Sequence, residues 1–382
     1  DKPQVRWSVG DDDQGTDIDL ADDEHPWTDA LIQGDALVNY PLHGSVTFQK
    51  LDEDGQGLNG ASFKLQVKHG DSWSDVTGGE SLETGFAYTA DVTSAGVVGL
   101  GGKSATEAGR ITVTNLPWGT YRLVEVEAAA GYVGKTPDGW PVSAEAKIDR
   151  GSVAASATVP LDMGTVTNRK ATIAIRKASW GDGTALAGAH FTVRLASGEP
   201  FLDGAIEKHL TTDASGIARA DAPGAASDGM SNELAGAVEP GQTYVITETQ
   251  APAGYGTPDP ASFTVTVADD GTLSAAGEAS DAWRIDTDGG TSTVTVRDKA
   301  ISLQFKKVDE NGEPLTGAEF TLSGTFAGGE DTRTISPAGD GAVALSPDDM
   351  LEGEVYTLHE SQPPVGYATI ADLQFRVAHA DD

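Results

Sequence analysis

The stretch Tyr244-Val-Ile-Thr-Glu-Thr-Gln-Ala-Pro-Ala-Gly-Tyr255 constrains this chain more than any other, because it recurs twice with its spacings intact. The other copies are Tyr121-Arg-Leu-Val-Glu-Val-Glu-Ala-Ala-Ala-Gly-Tyr132 and Tyr356-Thr-Leu-His-Glu-Ser-Gln-Pro-Pro-Val-Gly-Tyr367. In each, a Glu stands four residues after the first Tyr, and Gly-Tyr begins six residues after that Glu. Self-similarity over so long a period is the mark of repeated domains.

The repetition extends upstream. Val46-Thr-Phe-Gln-Lys50, a turn at Asp52-Glu-Asp-Gly55 and Leu58-Asn-Gly-Ala-Ser-Phe63 open the first copy. Ile173-Ala-Ile-Arg-Lys177, Gly181-Asp-Gly183 and Leu186-Ala-Gly-Ala-His-Phe191 open the second. Leu303-Gln-Phe-Lys-Lys307, Asp309-Glu-Asn-Gly312 and Leu315-Thr-Gly-Ala-Glu-Phe320 open the third. These openings predict domains at 44–169, 170–299 and 300–382, with almost no linker between them. Residues 1–43 match no repeat and read as an acidic N-terminal segment that fits the end of a preceding domain.

Segments such as Gly44–Lys50, Arg110–Thr114, Ala261–Val267 and Thr293–Arg297 alternate polar and apolar residues, and turn residues close them. Long helical periodicity is absent, and short helical turns are expected only at 231–238 and 346–349, where Ser residues stand as caps. The predicted class is therefore all-β: tandem Ig-like β-sandwich domains.

The net charge of −34 argues against nucleic acid as a partner, since phosphate binding needs clustered Lys and Arg. No apolar run reaches the length of a membrane span. With no cysteine, disulfides, thiolate catalysis and Cys-based zinc sites are excluded, so any covalent staple must use other chemistry. The aspartates at 11–13, 17, 19, 22 and 23 do not fit an EF-hand, and the seven histidines show no metal-ligand spacing, so neither metal nor cofactor is expected. Trp73, Trp118, Trp140, Trp180 and Trp283 are candidates for a glycan or protein contact, with a core or edge role as the plainer alternative.

Strand alternation identifies the residues that share a face with the apolar positions. Lys50 follows Val46 and Phe48, Lys177 follows Ile173 and Ile175, and Lys307 follows Leu303 and Phe305. Glu125 follows Tyr121 and Leu123, Glu248 follows Tyr244 and Ile246, and Glu360 follows Tyr356 and Leu358. Each repeat thus aims one Lys and one Glu at a hydrophobic core, which is costly unless the pair is neutralised or put to use. The plain alternative is a partly exposed ion pair with a snorkelling Lys stem, but its recurrence in three domains weighs against it. A further polar residue lies nine positions before each of the second and third lysines: Asn168 before Lys177, and Asp298 before Lys307. Burial neutralises both amine and carboxyl, so a nucleophilic Lys, a proton-shuttling Glu and an Asn or Asp carbonyl can form an amide bond.

The Tyr-x-Leu/Ile-x-Glu-x-x-Ala/Pro-x-x-Gly-Tyr pattern with its strand-one Lys resembles the E-box of Gram-positive surface pilins, in domains similar to the collagen-adhesin B type (Cna B-like). The resemblance spans residues 44–382. It implies an intramolecular isopeptide bond in each complete domain: Lys50 to Asn168 with Glu125 catalytic, and Lys177 to Asp298 with Glu248 catalytic. Asp298 stands where most relatives have Asn. In the third repeat Lys307 and Glu360 are present, but after the strand Leu373–Val377 no strand equivalent to those bearing Asn168 and Asp298 is expected before Asp382. Asn311, in a turn, is a poor substitute.

The resemblance also implies a structural stalk at the Gram-positive cell wall surface, with other surface or pilus subunits as partners. Sortase assembly fits less well, since Val38-Asn-Tyr-Pro-Leu42 has Leu where a pilin Lys is expected, and no Leu-Pro-x-Thr-Gly signal occurs. A module binding host extracellular matrix or glycans is the alternative. No separate catalytic constellation points to an enzyme beyond single-turnover bond formation.

Overall fold

In the computed structural model of the chain, the described residues are 43–76, 80–93, 96–149, 152, 159–202, 204–218, 238–277, 280–288, 291–345 and 350–378, together with the backbone of 4–7, 16–19, 32–33 and 36–37. The acidic clusters before residue 43 therefore fall outside the described side chains. So do the turns expected at 231–238 and 346–349, apart from Val238, which is buried.

Each repeat is built from two sheets facing each other across a hydrophobic core. In the first, the lysine strand Gly44–Asp52 lies between Arg110–Leu116 and Leu161–Lys170. The facing sheet runs Ala146–Ile148, Gly119–Glu127, Ser62–His69, Ser72–Asp75. In the second repeat, the lysine strand Ala174–Ser179 lies between Ile217–Ala218 and Thr291–Ala300. The facing sheet runs Lys208–Thr211, His190–Leu195, Thr243–Gln250, Ser262–Val267, Leu273–Ala275. In the third, Leu303–Lys306 pairs with Ala342–Leu345, and the other sheet runs Thr332–Ile335, Glu319–Ser323, Val355–Gln362, Leu373–Arg376. This is the tandem all-β sandwich architecture that the alternating pattern predicts.

The pattern works because strand side chains point alternately to the two faces. Gly44–Asp52 alternates buried and half-buried residues along its length, with Val46, Phe48 and Lys50 inward. Phe48 meets Phe63 of the opposite sheet at 4.9 Å between ring centroids. In the second core Phe263 stacks on Trp283 at 4.8 Å, so Trp283 is a core residue and not a surface ligand candidate. Burying each such large side chain contributes about 2–3 kcal/mol.

The described chain forms two compact units. One takes in the chain up to Leu51, Gly57–Val126 and Val142–Val166; the other is Asp52–Gln56, Glu127–Pro141 and Thr167–Asp382. The tail of the first repeated stretch thus belongs to the unit of the second repeat. Val133 and Ala171 are buried in the same cluster as Ile175, Phe191, Tyr244 and Ile246.

Candidate functional site

The repeated Tyr is structural. Tyr244 Oη accepts from the backbone of Glu239 at 2.8 Å, and Tyr356 Oη accepts from Leu351, also five residues back, at 2.9 Å. Tyr121 Oη donates to the carbonyl of Pro117 at 2.8 Å. The ring fills the core while the hydroxyl pins the loop leading into the strand, and this fixes where the Glu four residues later projects.

From that strand the Glu reaches across the sandwich to the Lys of the opposite sheet. In the first repeat, Lys50 Nζ lies 3.3 Å from Glu125 Oε2, both side chains being wholly buried. Lys50 Nζ also donates to the Val166 carbonyl at 3.5 Å. Asn168, two residues further along that strand, is buried as well and belongs to the second compact unit. Burial is the dominant influence on Lys50 and lowers its pKa from 10.5 to about 8, with Glu125 pulling the other way.

The second repeat brings three groups together. Lys177 Nζ lies 2.5 Å from Glu248 Oε2 and also pairs with Asp298 Oδ1, all three side chains being closed to solvent. The face of the Phe191 ring lies 5.7 Å from the amine. The strand Thr291–Ala300 runs parallel to the lysine strand, with Lys177 opposite Val296 and Ser179 opposite Asp298. Burial drives the Glu248 carboxyl far above the usual carboxylate range, against the pull of Lys177. Asp298 is raised too, first by burial and against the same pull. The cluster therefore sets an amine against two carboxyls whose protonated forms are favoured by burial, the arrangement that acyl transfer to a carboxyl requires.

In the third repeat, Lys307 Nζ lies 2.9 Å from Glu360 Oε1, and Glu360 Oε2 accepts from the backbone of Ile370 at 2.9 Å. Among the described residues, Ala342–Leu345 is the one strand beside Leu303–Lys306. Asn311 stays in its turn, its backbone bonded to Asp309.

The face pattern did not reveal how the lysine backbone is held. Lys50, Lys177 and Lys307 donate their N–H to the carbonyls of Gly109, Gly216 and Gly341 at 2.8, 2.7 and 2.8 Å. Their own carbonyls accept from Leu58, Leu186 and Leu315 at 3.0, 3.1 and 2.9 Å. Gly216 has a φ of +72°, and a Cβ there would stand 2.6 Å from the Lys177 carbonyl oxygen, so only glycine fits. The legible signal is a Gly before a short strand in each repeat, at Gly109-Arg110-Ile111, Gly216-Ile217-Ala218 and Gly341-Ala342-Val343.

Of the remaining tryptophans, Trp118 is 54% exposed and Trp140 36% exposed. Trp73 is half-buried beneath Arg122, at 4.2 Å, and Trp180 beneath Arg297, at 4.7 Å. Among the described residues, no group of three or more His, Cys, Asp or Glu side chains stands ready to hold a metal. No helix among them is long and apolar enough to cross a membrane.

A sandwich that repeats three times and buries a Lys–Glu pair across each core defines a class of prealbumin-like modules. The chain belongs to the SpaA family, prealbumin-like fold domain, whose model matches residues 44–156, 171–280 and 301–382. No curated protein matches the chain. Among solved structures, the Bacillus anthracis TIE protein is 21% identical, over 90% of this chain and 50% of its own, with a TM-score of 0.33. The pilus adhesin SpaC from Lactobacillus rhamnosus GG is 17% identical, over 90% of this chain and 41% of its own, with a TM-score of 0.35. A streptococcal ancillary pilin is 21% identical, over 78% of this chain and 74% of its own, with a TM-score of 0.26. The chain thus spans half or less of the length of the first two.

Proposed function

We propose that this chain is a structural stalk segment of a Gram-positive pilin or surface adhesin, whose domains, bounded near 44, 170 and 300, lock themselves with intramolecular isopeptide bonds. The observation that carries this reading is Lys177 held between Glu248 and Asp298 in a closed core. An ion triad of this kind is a poor source of stability by itself, because desolvation offsets most of its Coulomb attraction. A bond formed from the same groups removes the charges.

In the second repeat the Lys177 amine attacks Cγ of Asp298. Glu248 carries a proton from the attacking nitrogen to the departing oxygen, the amide forms and one water leaves. In the first repeat Lys50 attacks Cγ of Asn168 with Glu125 as the shuttle, and one ammonia leaves. In the third repeat Lys307 and Glu360 form the corresponding pair, and with no acyl partner for Lys307 among the described residues no third mass loss is expected. The placement at the cell wall, beside other pilus or surface subunits, rests on membership of the SpaA domain family and on the E-box resemblance.

The test is intact-mass spectrometry with peptide mapping. The full chain is expected to lack one ammonia and one water relative to its sequence, with the losses mapping to Lys50–Asn168 and Lys177–Asp298. A chain at its full sequence mass would refute the reading. The rate in the first repeat carries a pH signature. With its pKa near 8, roughly a tenth of Lys50 is neutral at pH 7, against less than about one part in a thousand for an ordinary lysine. Ammonia loss in freshly synthesised chain is therefore expected to rise about tenfold from pH 6 to pH 7 and to level off above about pH 8. A rate that does not change over that range would exclude the lowered amine as the nucleophile.

A further inference from the structure

The Gly-Tyr that ends the first and the second repeated stretch pairs with the chain that opens the next repeat. Gly254 accepts from the backbone of Ile301 at 2.8 Å and donates to the carbonyl of Met350 at 2.8 Å. Tyr255 and Gly256 pair with Ala300 and Lys299, directly beyond Asp298 on the same strand. Thr257 donates its backbone N–H to Glu352 Oε2 at 2.8 Å. The segment 350–352 of the third repeat thus holds residues 254–257, which in turn hold the end of the strand that carries Asp298.

The preceding junction has the same frame. Gly131 accepts from Ala171 at 2.8 Å, and Tyr132 and Val133 pair with Lys170 and Arg169, directly beyond Asn168. Counting back from the motif tyrosines, Val238 occupies the position of Met350, and both are buried. Two positions further on, the frames differ: the second repeat has Pro240 where the third has Glu352. The acyl residues differ at the same two junctions, since the proline accompanies Asn168 and the glutamate accompanies Asp298.

The two acyl groups need different help. An asparagine amide is neutral and can be attacked as it stands, whereas an aspartate must first take up a proton, because a carboxylate is a very poor electrophile. A fixed carboxylate just outside the core disfavours negative charge on Asp298 and so favours its protonated form.

We propose that Glu352 of the third repeat is a positioning residue for the cross-link of the second, supplying the negative charge that makes an aspartate usable where an asparagine would need none. The inference rests on the cross-linking reading above. Inside the core, Asp298 is faced by Lys177 from the lysine strand and by Glu248 from the opposite sheet. Burial is the largest influence raising the Asp298 pKa, and Glu352 adds to it. Arg297, Lys299 and Arg376, with Asp259 and Asp281, line the junction cleft around Glu352. Arg297 and Lys299 lie over the ring of Trp180, at 4.7 and 5.1 Å.

The experiment follows both mass losses in full-length chain made by cell-free translation, at several pH values from about 5.5 to about 8, because a carboxyl gains its proton as the pH falls. Glu352→Gln keeps an oxygen that can accept from Thr257 and removes only the charge. Water loss from the second repeat is expected to slow several-fold at about pH 7.5, where less of Asp298 is protonated, and by much less at about pH 5.5. Ammonia loss from the first repeat serves as the internal control and is expected to stay unchanged. In an Asp298→Asn background the effect of Glu352→Gln is expected to vanish, since the leaving group is then ammonia. Equal rates and equal pH profiles for wild type and Glu352→Gln would overturn the proposal. So would a slowing that is the same at every pH and persists in the Asp298→Asn background, because that is the mark of a purely structural contact. A wild-type second repeat that never loses water would instead overturn the cross-linking reading on which this one stands.

Discussion

Glu248→Ala is expected to abolish the water loss of the second repeat, leaving the chain short of its own sequence mass by one ammonia only, from the first repeat. The substitution removes the carboxyl placed to move a proton between the Lys177 nitrogen and the Asp298 oxygen. A positioned acid or base of this kind typically contributes a factor of about a hundred to ten thousand in rate. Lys177 and Asp298 would remain as a buried ion pair, detectable by peptide mapping as two separate peptides in place of one branched product. A Glu248→Ala chain with the wild-type extent of water loss would show that proximity and burial suffice and that the glutamate has no part in the chemistry.

The second large effect concerns what the bond holds together. Lys177 and Asp298 are 121 residues apart in sequence, and by analogy with a disulfide closing a loop of this length, the cross-link stabilises by about 4–5 kcal/mol in the chain-entropy model. Asp298→Ala is therefore expected to lower the unfolding midpoint of the second repeat by about 15 °C, at about 3–4 °C per kcal/mol. A protease site introduced between Ala218 and Val238 gives a sharper readout. After cleavage, the wild-type chain is expected to run as one branched species on a denaturing gel, and the Asp298→Ala chain as two fragments. Separation of both proteins into two fragments would mean that no bond spans the cut.

The parts of this site that were legible in the sequence follow from one short-range rule. Side chains on a strand alternate, so Val46, Phe48 and Lys50 must share a face, as must Tyr244, Ile246 and Glu248. The structure places all of these inward. The equal offsets of Asn168 and Asp298 identified equivalent positions, though not the strand beside which each would lie. That depends on the parallel pairing of the second repeat's first and last strands in sequence, a contact between residues more than a hundred positions apart that no local pattern encodes. The glycine clamps on the lysine backbones were similarly hidden, because the requirement at Gly216 comes from the carbonyl of Lys177, far away in sequence. Glu352 is hidden for a different reason. It belongs to one repeat and acts on another, and a repeat-by-repeat comparison treats it as an ordinary acidic loop residue. Trp283 is the converse case: an aromatic near a turn whose stacking on Phe263 puts it in the core.

The parallel pairing has a mechanical consequence. The chain enters the lysine strand near Ala174 and leaves the neighbouring strand near Ala300, at opposite ends of a ladder that runs from Ala174 opposite Thr293 to Ser179 opposite Asp298. A pull on the two ends therefore loads the ladder in shear, with its hydrogen bonds sharing the force, whereas a zipper geometry would break them one at a time. With Lys177 bonded to Asp298, the load crosses from one strand to the other through a single side-chain bridge. The 121 residues of separation between these two then bear no tension, and about 400 Å of chain that would otherwise pay out on unfolding stays folded. A domain cross-linked in this way would resist force by having no slack to release.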